Sequence, residues 1–193
     1  METKPNNSGS LTLIKANDKL SPYVKYIAVG EDDSLKAQLM EKSSQPHILA
    51  STPKDAAERF GNSEMFDKWQ KKGRTIHWLI GNNGDLAGVI WYGDEEMPET
   101  KTQNAPNLTF AIRLYENYLG KGLSVPFMKQ SLDILVRSFD DLSKFNGIWL
   151  QTDVSNKPAV AAYEKFGYVE VSKSGDRTTM VLDKSKVLDL ARQ

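Results

Sequence analysis

An Asn-Gly pair between two β-rich runs constrains the fold of this chain more than any other feature. The runs "RTIHWLI" (74–80) and "LAGVIWY" (86–92) lie on either side of "GNNGD". A type I′ turn needs positive φ at its central positions, which Asn-Gly tolerates, and its twist matches two antiparallel strands. The sequence therefore predicts an antiparallel hairpin over residues 74–92.

After this hairpin, the sequence predicts strands and helices in alternation. "LTFAIRLY" (108–115) and "GIWLQTDV" (147–154) are predicted strands, and each precedes a predicted helix. Pro126 and Pro158 lie in the first turns of these helices, where a missing N–H costs little. Gly167 is placed to end the second helix in a left-handed conformation. Two closing strands, "YVEVS" and "RTTMVLD", and a short charged helix at about 183–192 complete the pattern.

The first seventy residues are less regular. Leu11–Lys15 and Tyr23–Val29 alternate weakly and are predicted strands. Asp32 and Asp33 precede a predicted short helix, because acidic residues favour a first turn. A second helical zone is predicted over 53–72, where Gly61 can interrupt the helix and Gly73 ends it.

Composition excludes several classes of function. Lys plus Arg equal Asp plus Glu at 25 each, which argues against an electrostatic nucleic-acid binder. The chain has no cysteine, so disulfides, thiolate zinc sites and a cysteine nucleophile are excluded.

No apolar signal core or membrane-length apolar run is present, and a cytoplasmic setting is expected. Residues 1–9 are predicted to be a disordered lead, and 10–193 a single domain.

The two histidines do not predict a catalytic or metal site. His47 and His77 lack the HExxH spacing of zinc peptidases. His77 is interpreted as a strand residue on the face opposite Ile76. His47, after Pro46, is interpreted as part of a loop. The acidic stretch Asp94–Glu96 also predicts no site, because it is interpreted as the solvent-exposed edge of a polar loop over 93–107.

The stretch "LYENYLGKGLSVPFM" (114–128) places a two-glycine turn between a strand and a helix. It lacks the GxxxxGK[ST] pattern of a phosphate-binding loop, and the last glycine of GxGxxG is replaced by Val125. Unpaired N–H groups at a helix N-terminus can hold a diphosphate. The alternative is that glycine serves only the conformation of the turn.

A second motif lies about 35 residues downstream, where a strand is followed by "NKPAVAAYEKFGY". Together, the two strand–turn–helix segments resemble the acetyl-CoA-dependent GNAT N-acetyltransferases over roughly 74–183. In that family, a "RGxGxG/A"-type turn cradles the CoA pyrophosphate, and a later "N…A…Y…GF" motif lies at the pantetheine and thiolate. Leu119 stands here in place of the family's Arg or Gln, and Ser124 in place of its last Gly or Ala.

The resemblance implies a mixed α/β (α+β) fold: one GNAT-like domain with a central, mostly antiparallel, twisted sheet flanked by helices. The sheet would be splayed between the family's fourth and fifth strands, here 108–115 and 147–154. Tyr163 would be the general acid that protonates the departing thiolate, although it could instead be an aromatic packed on the sheet. The implied cofactor-binding residues are Leu114, Tyr115, Leu119, Gly120, Lys121, Gly122, Leu123, Ser124, Asn156 and Tyr163.

Within that set, the resemblance divides the roles. Gly120–Ser124 would hold the pyrophosphate through main-chain N–H groups. Leu114 and Tyr115 would offer main-chain groups to the pantetheine and the thioester carbonyl, as in strand addition. Asn156 would touch the cofactor, and it is also a favourable helix N-cap. The general base stays open among Glu116, Asp94 and Asp153.

The resemblance implies an N-acetyltransferase that moves an acetyl group from acetyl-CoA, as co-substrate and without a metal, to a primary amine. The acceptor would be a small molecule or a peptide, no nucleic acid or membrane partner is expected, and a homodimer is possible. The alternative is a non-catalytic GNAT-fold module that binds CoA or a protein. An ordinary α/β domain without a CoA site is the third interpretation.

Overall fold

In the residues that the structure describes, eight strands form one sheet, and helices flank it. The structure is a computed structural model that describes residues 10–98 and 105–192. The strands are β1 (Thr12–Lys15), β2 (Val24–Val29), β3 (Arg74–Gly81), β4 (Leu86–Asp94), β5 (Leu108–Leu114), β6 (Gly147–Asp153), β7 (Val169–Ser174) and β8 (Arg177–Asp183). Their order is β1-β2-β3-β4-β5-β6-β8-β7. The sheet is mostly antiparallel, with β5 and β6 as a parallel pair, which confirms the predicted fold class.

Six α-helices are present in the described residues. They are α1 (Asp33–Ser43), α2 (Pro46–Ser51), α3 (Ser63–Gln70), α4 (Ser124–Arg137), α5 (Lys157–Phe166) and α6 (Lys184–Ala191). Shorter helical segments cover Asp55–Arg59 (π), Glu116–Tyr118 (3-10) and Leu142–Lys144 (3-10). Four expected boundary signals are seen: Asp32 caps α1, Gly61 separates the π-helical segment from α3, Asn156 caps α5, and Gly167 ends α5 with φ 116°.

One interpretation of the first half is wrong. The segment around His47 is not a loop but the short helix α2, which has Pro46 at its first position. Proline is pre-organised for that position. The six-residue segment is too short to show a helical period in sequence. The predicted loop over 93–107 lies partly outside the described residues, and Asp94, Glu95 and Glu96 are exposed as expected.

By their internal contacts, the residues group into two compact units. Of the described residues, 10–91 and 112–123 form the N-terminal unit, and 92–98, 105–111 and 124–192 form the C-terminal unit. The extent of the catalytic domain as residues 10–193 stays a prediction.

The predicted hairpin is formed by β3 and β4. The Gly81 N–H donates to the Asp85 carbonyl at 2.9 Å, and the Gly84 N–H donates to the Gly81 carbonyl at 3.0 Å. Gly84 has φ 86°, the left-handed region that glycine enters readily. Such a short connection between neighbouring strands makes the pair antiparallel.

The N-terminal unit has an aromatic core. Phe60 lies with its ring centroid 4.9 Å from that of Trp69 and 5.6 Å from that of Trp91, both edge to face. Trp78 stacks at 6.4 Å on Phe66 and donates its indole N–H to the Gly30 carbonyl. Aromatic pairs of this kind add about 0.5–1.5 kcal/mol each beyond burial. The core therefore fixes α3 on the sheet.

Within the C-terminal unit, β5 and β6 pair only briefly. Leu108 is opposite Ile148 and Thr109 is opposite Trp149. No further β5–β6 pair forms in the described strands, whereas β6 pairs with β8 along its whole length, from Gly147 to Asp153. This confirms the predicted splay between the strands at 108–115 and 147–154.

At the end of the strand order, β7 is exposed along its whole length. Glu170 is opposite Met180 and Ser172 is opposite Thr179, so Val171 is an extra residue without a partner on β8. Val171 is therefore a β-bulge. Lys173 forms a salt bridge with Glu170 at 3.0 Å on the same strand.

Candidate functional site

The glycine turn leads from β5 to α4. After Leu114, a 3-10 turn covers Glu116–Tyr118, and α4 begins at Ser124, so that Pro126 lies in its first turn as predicted. Gly120 has φ 70° and Gly122 has φ 69°. A Cβ atom added at either glycine would meet no atom within 4 Å. The glycines therefore serve the backbone conformation, and they leave the space in front of the turn open.

The main-chain N–H groups of this turn, those of 120–123, have no acceptor in the part of the chain that the structure describes. Leu119, just before the turn, is about half exposed, whereas Leu123 is buried and anchors the end of the turn. A buried anchor with exposed, unpaired donors is an arrangement that can receive an anion.

Lys121 lies between the two glycines. Its Nζ is 4.7 Å from the ring centroid of Tyr23 and 5.7 Å from that of Tyr118. The Tyr118 hydroxyl donates to Asp85, and burial together with this hydrogen bond raises the Tyr118 pKa. The ring that faces Lys121 is therefore held in place.

The segment that follows β5 limits which main-chain groups of Tyr115 could reach a cofactor. Tyr115 is fully buried, its N–H donates to the Ala87 carbonyl at 3.0 Å, and its carbonyl accepts from the Tyr118 N–H at 2.8 Å. The Tyr115 N–H is thus used by β4, whereas its carbonyl can still accept a second hydrogen bond. A main-chain contact from Tyr115 to the cofactor stays a prediction.

Asn156 acts as the N-cap of α5. Its Oδ1 accepts from the Ala159 N–H at 3.3 Å, and Pro158 lies in the first turn of the helix. The predicted capping role is thus confirmed. In the described chain, the Asn156 amide nitrogen has no protein partner, so contact with a cofactor through that nitrogen stays a prediction.

Tyr163 lies in an aromatic cluster of the C-terminal unit. Its ring centroid is 6.2 Å from that of Phe110 and 5.8 Å from that of Tyr168, edge to face in both cases. The N–H groups of Gly167 and Tyr168 both donate to the Tyr163 carbonyl at 3.0 Å. These contacts fix the position of the phenol, of which 6% is exposed.

The three candidate bases occupy different surroundings. Glu116 and Asp94 are exposed. Asp153 accepts from Arg177 at 3.2 Å. Neither the exposure nor the contacts of these three carboxylates identify one of them as the general base.

A buried carboxylate, Asp55, was not found from the sequence. Arg113 donates to it from Nε at 2.5 Å and from Nη2 at 3.2 Å, and Arg59 donates from Nη1 at 2.7 Å. Burial acts to raise the Asp55 pKa, but the charges and hydrogen bonds of both arginines outweigh it and hold the pKa below its usual value. A carboxylate held in this way is a poor base. Its only sequence signal was a lone arginine in the apolar strand "LTFAIRLY".

The histidines do not form a catalytic or metal centre in the described residues. His77 is buried in β3, and burial lowers its pKa to about 3. Among residues 10–98 and 105–192, no group of three or more His, Asp or Glu side chains could hold a metal ion. The same residues include no helix that is long and apolar enough to cross a bilayer.

A match to a protein-family model shows which family the chain belongs to. The model described as "Acetyltransferase (GNAT) family" matches residues 41–168, which include the glycine turn and the whole of α5. The chain belongs to the GNAT acetyltransferase family. It is therefore an acyl-CoA-dependent N-acyltransferase, with acetyl-CoA as co-substrate. No curated protein sequence matches it significantly.

Solved structures show the same GNAT fold. Spermidine N-acetyltransferase from Vibrio cholerae, in complex with CoA and spermine, has a TM-score of 0.63 at 20% identity, with 92% of this chain and 98% of that chain covered. The aminoglycoside acetyltransferase AAC(6')-Ib, in complex with coenzyme A, has a TM-score of 0.64 at 18% identity, covering 95% and 100%. Aminoglycoside N(6')acetyltransferase from Legionella pneumophila has a TM-score of 0.60 at 18% identity, covering 86% and 95%.

Proposed function

We propose that this GNAT protein transfers an acetyl group from acetyl-CoA directly to a primary amine of a small molecule or a peptide. The observation that carries the proposal is the turn at 120–123, whose N–H groups have no protein acceptor in the described residues. Because the chain belongs to the GNAT family, the diphosphate expected at this turn is that of CoA. The proteins of similar fold named above are acetyltransferases of spermidine and aminoglycosides, which are amines.

The turn fits a diphosphate for three reasons. It has open space in front of both glycines, it exposes several N–H groups, and α4 follows it directly. The helix dipole adds partial positive charge at that end. In this proposal the amides of Gly120, Lys121, Gly122 and Leu123 bind the pyrophosphate, and Ser124 adds the first N–H of α4.

When bound, the co-substrate supplies an activated acetyl thioester. The acceptor nitrogen forms a bond to the acetyl carbon and releases a proton to solvent, and the carbon–sulfur bond breaks with its electron pair on sulfur. In our proposal the Tyr163 hydroxyl donates its proton to the departing thiolate, because a neutral phenol is a suitable acid at neutral pH, and the tyrosinate regains a proton from solvent. Leu114 offers main-chain groups to the pantetheine, and Asn156 offers its amide nitrogen.

A thermal shift tests the binding step. Acetyl-CoA at 100 times its Kd should stabilise the fold by about 2.7 kcal/mol, which is a shift of several degrees in Tm for a chain of this length. Gly122→Leu should abolish the shift, because a side chain would fill the space in front of the amides. Gly175→Leu is the matched control, since Gly175 also has positive φ (60°) and open surroundings. Absence of a shift in the unmodified protein at millimolar ligand would refute the proposed site.

A thiol-release assay with a panel of amines tests catalysis. Tyr163→Phe keeps the ring contacts with Phe110 and Tyr168 and removes only the hydroxyl, so kcat should fall while the Kd of acetyl-CoA changes little. An equal loss of both would contradict the acid role. Binding without thiol release for any amine would favour the alternative, a GNAT-fold module that binds CoA without turnover.

A further inference from the structure

A short π-helical turn in the N-terminal unit holds an arginine whose donors are only partly used. The turn covers Asp55–Arg59, and the Phe60 N–H closes it by donating to the Asp55 carbonyl at 2.7 Å. Within the turn, Arg59 Nη1 donates to Asp55 Oδ1 at 2.7 Å. Isolated π-turns of this kind are frequent at functional sites, so the Arg59 side chain is a candidate ligand-binding group.

The fixed geometry of the guanidinium group leaves one edge of Arg59 unused. Arg59 donates from Nη1 to Asp55, whereas its Nε and Nη2 have no protein acceptor within residues 10–98 and 105–192. These two groups point in parallel from the same edge of the guanidinium plane and can bind a carboxylate through two hydrogen bonds. Arg113 uses the same two groups, Nε and Nη2, to hold Asp55. Arg59 thus leaves open for a ligand the edge with which Arg113 already binds a carboxylate.

Arg59 is held in place but remains accessible. Its side chain is 31% exposed, whereas that of its partner Asp55 is 1% exposed. Its guanidinium carbon also lies 5.9 Å from the Trp91 ring centroid. An exposed ion pair is usually weak, in part because a long side chain must be ordered to form it. Asp55 and Trp91 already order Arg59, so a ligand that pairs with it loses less conformational entropy on binding.

The charges of this cluster favour an anionic ligand. Arg59 and Arg113 contribute two positive charges, and Asp55 contributes one negative charge. A carboxylate bound at the open edge of Arg59 would neutralise the remaining positive charge. A cationic group at the same place would be repelled by it.

The cluster also adjoins the part of β5 that is proposed to contact the co-substrate. Arg113 directly precedes Leu114, whose main-chain groups are proposed to contact the pantetheine. Arg113 Nε donates to Asp55 Oδ2 at 2.5 Å, and Asp55 in turn contacts Arg59. All four residues belong to the N-terminal unit. An acceptor whose amine approaches the thioester near Leu114 would therefore have its other end within reach of Arg59.

We infer that Arg59 selects acceptors that carry a carboxylate and binds that carboxylate through Nε and Nη2. The substrate class is therefore an amino acid or an acidic peptide, in which a primary amine and a carboxylate occur together. The inference rests on the proposed function, since it concerns the acceptor of the same transfer. It assigns a specificity role to Arg59, whereas Asp55 and Arg113 position its side chain.

Matched pairs of acceptors test the carboxylate contact in the thiol-release assay. Glutamate is compared with glutamine, and γ-aminobutyrate and ε-aminocaproate are each compared with their amides. The members of each pair differ by one negative charge and hardly in shape. The unmodified protein should use at least one acid with a kcat/KM about tenfold above that of its amide, as expected for one charge-assisted pair. Spermidine, which carries no carboxylate, should be a poor acceptor.

Substitution of Arg59 tests the assignment of this preference. In Arg59→Gln the ratio of kcat/KM between the preferred acid and its amide should fall to about one, mainly through a higher KM for the acid. The effect is on KM because the carboxylate is bound equally in the ground and transition states. Arg59→Lys should retain part of the preference, since it keeps the charge but loses the two parallel N–H groups. Arg137→Gln is the matched control, because Arg137 forms the same kind of pair on α4, with Asp133 four residues before it.

The possible results separate the inference from the proposed function. Acids and amides used equally by the unmodified protein, or an unchanged preference in Arg59→Gln, would overturn the inference while acetyl transfer stands. Equal loss of acid and amide turnover in Arg59→Gln would indicate a structural role and would also overturn it. If no amine of the panel releases thiol, the proposed function fails and the inference fails with it.

A thermal shift checks that the variants are folded. Acetyl-CoA should still raise the Tm of Arg59→Gln, because Arg59 lies outside the turn proposed to hold the diphosphate. Should Arg59→Gln fail to fold, the preference of Arg59→Lys decides the question. An undiminished preference in Arg59→Lys would then overturn the inference.

Discussion

Replacing Asp55 with asparagine removes a buried carboxylate that contacts two arginines, Arg113 and Arg59. The Asp55 side chain is 1% exposed and accepts from Arg113 and Arg59. Arg113 also lies over the Trp91 ring, with its guanidinium carbon 4.9 Å from the ring centroid. The substitution keeps the shape of the side chain but removes the negative charge that both guanidinium groups contact.

The expected loss is about 3 kcal/mol in the free energy of unfolding at pH 7. Removing one partner of a buried ion pair costs about 3–5 kcal/mol. The lower end applies here, because the Arg113 side chain remains 14% exposed and keeps its contact with Trp91. By contrast, an exposed pair is worth about 0–1 kcal/mol.

The loss should depend on pH. The arginines hold the pKa of Asp55 below its usual value, so the folded state binds this proton less readily than the unfolded chain. The stabilisation is therefore complete above the unfolded pKa of about 3.9 and is lost as the pH falls through the folded value. The difference between the original protein and Asp55→Asn should thus be constant from pH 7 to about 5 and shrink below about 4.

Urea unfolding followed by tryptophan fluorescence measures this effect, since Trp69, Trp78 and Trp91 all lie in the N-terminal unit. Asp67→Asn is the control, because Asp67 is half exposed in its pair with Lys36. The reasoning would be refuted if Asp55→Asn cost no more than Asp67→Asn. It would also be refuted if the difference at pH 7 persisted unchanged at pH 3.

Three further perturbations have defined outcomes. Gly88→Ala should lower stability in urea by about 1–3 kcal/mol, because a Cβ would lie 2.6 Å from the Arg113 carbonyl oxygen. His77 should show no NMR titration between pH 5 and 8, and stability should fall as pH drops from 6.5 towards 3, because the unfolded histidine binds a proton that the buried one refuses. His77→Phe should flatten that part of the pH profile. Tyr168→Leu should lower kcat with little change in KM, while Tyr168→Phe should not, because the ring of Tyr168 holds Tyr163 in place.

Local signals in the sequence were sufficient for most of the secondary structure. Asn83-Gly84 predicted the hairpin, Asp32 predicted the start of α1, and Gly167 predicted the end of α5. Each of these signals acts through its own backbone conformation or a hydrogen bond a few residues away. Such signals can be read without knowing the fold.

Contacts between distant residues could not be predicted in this way. Asp55 and Arg113 are 58 positions apart, and Lys121 meets Tyr23 only once the chain has folded. Their residue types are common on protein surfaces, so neither pair stands out in the sequence. The occupied N–H of Tyr115 depends on the register of β5 against β4, which is a property of the sheet and not of the strand.

The bulge at Val171 bears on how the protein behaves when concentrated. A straight, fully exposed outer strand is a template on which another molecule can add its own strand, and so begin a fibre. The extra residue on β7 breaks the even spacing of free N–H and C=O groups there, and the charges of Glu170 and Lys173 would be carried into any such junction. The bulge and these charges therefore disfavour the pairing of a strand from another molecule with β7. They do so although Val169 and Val171 are both apolar and more than half exposed.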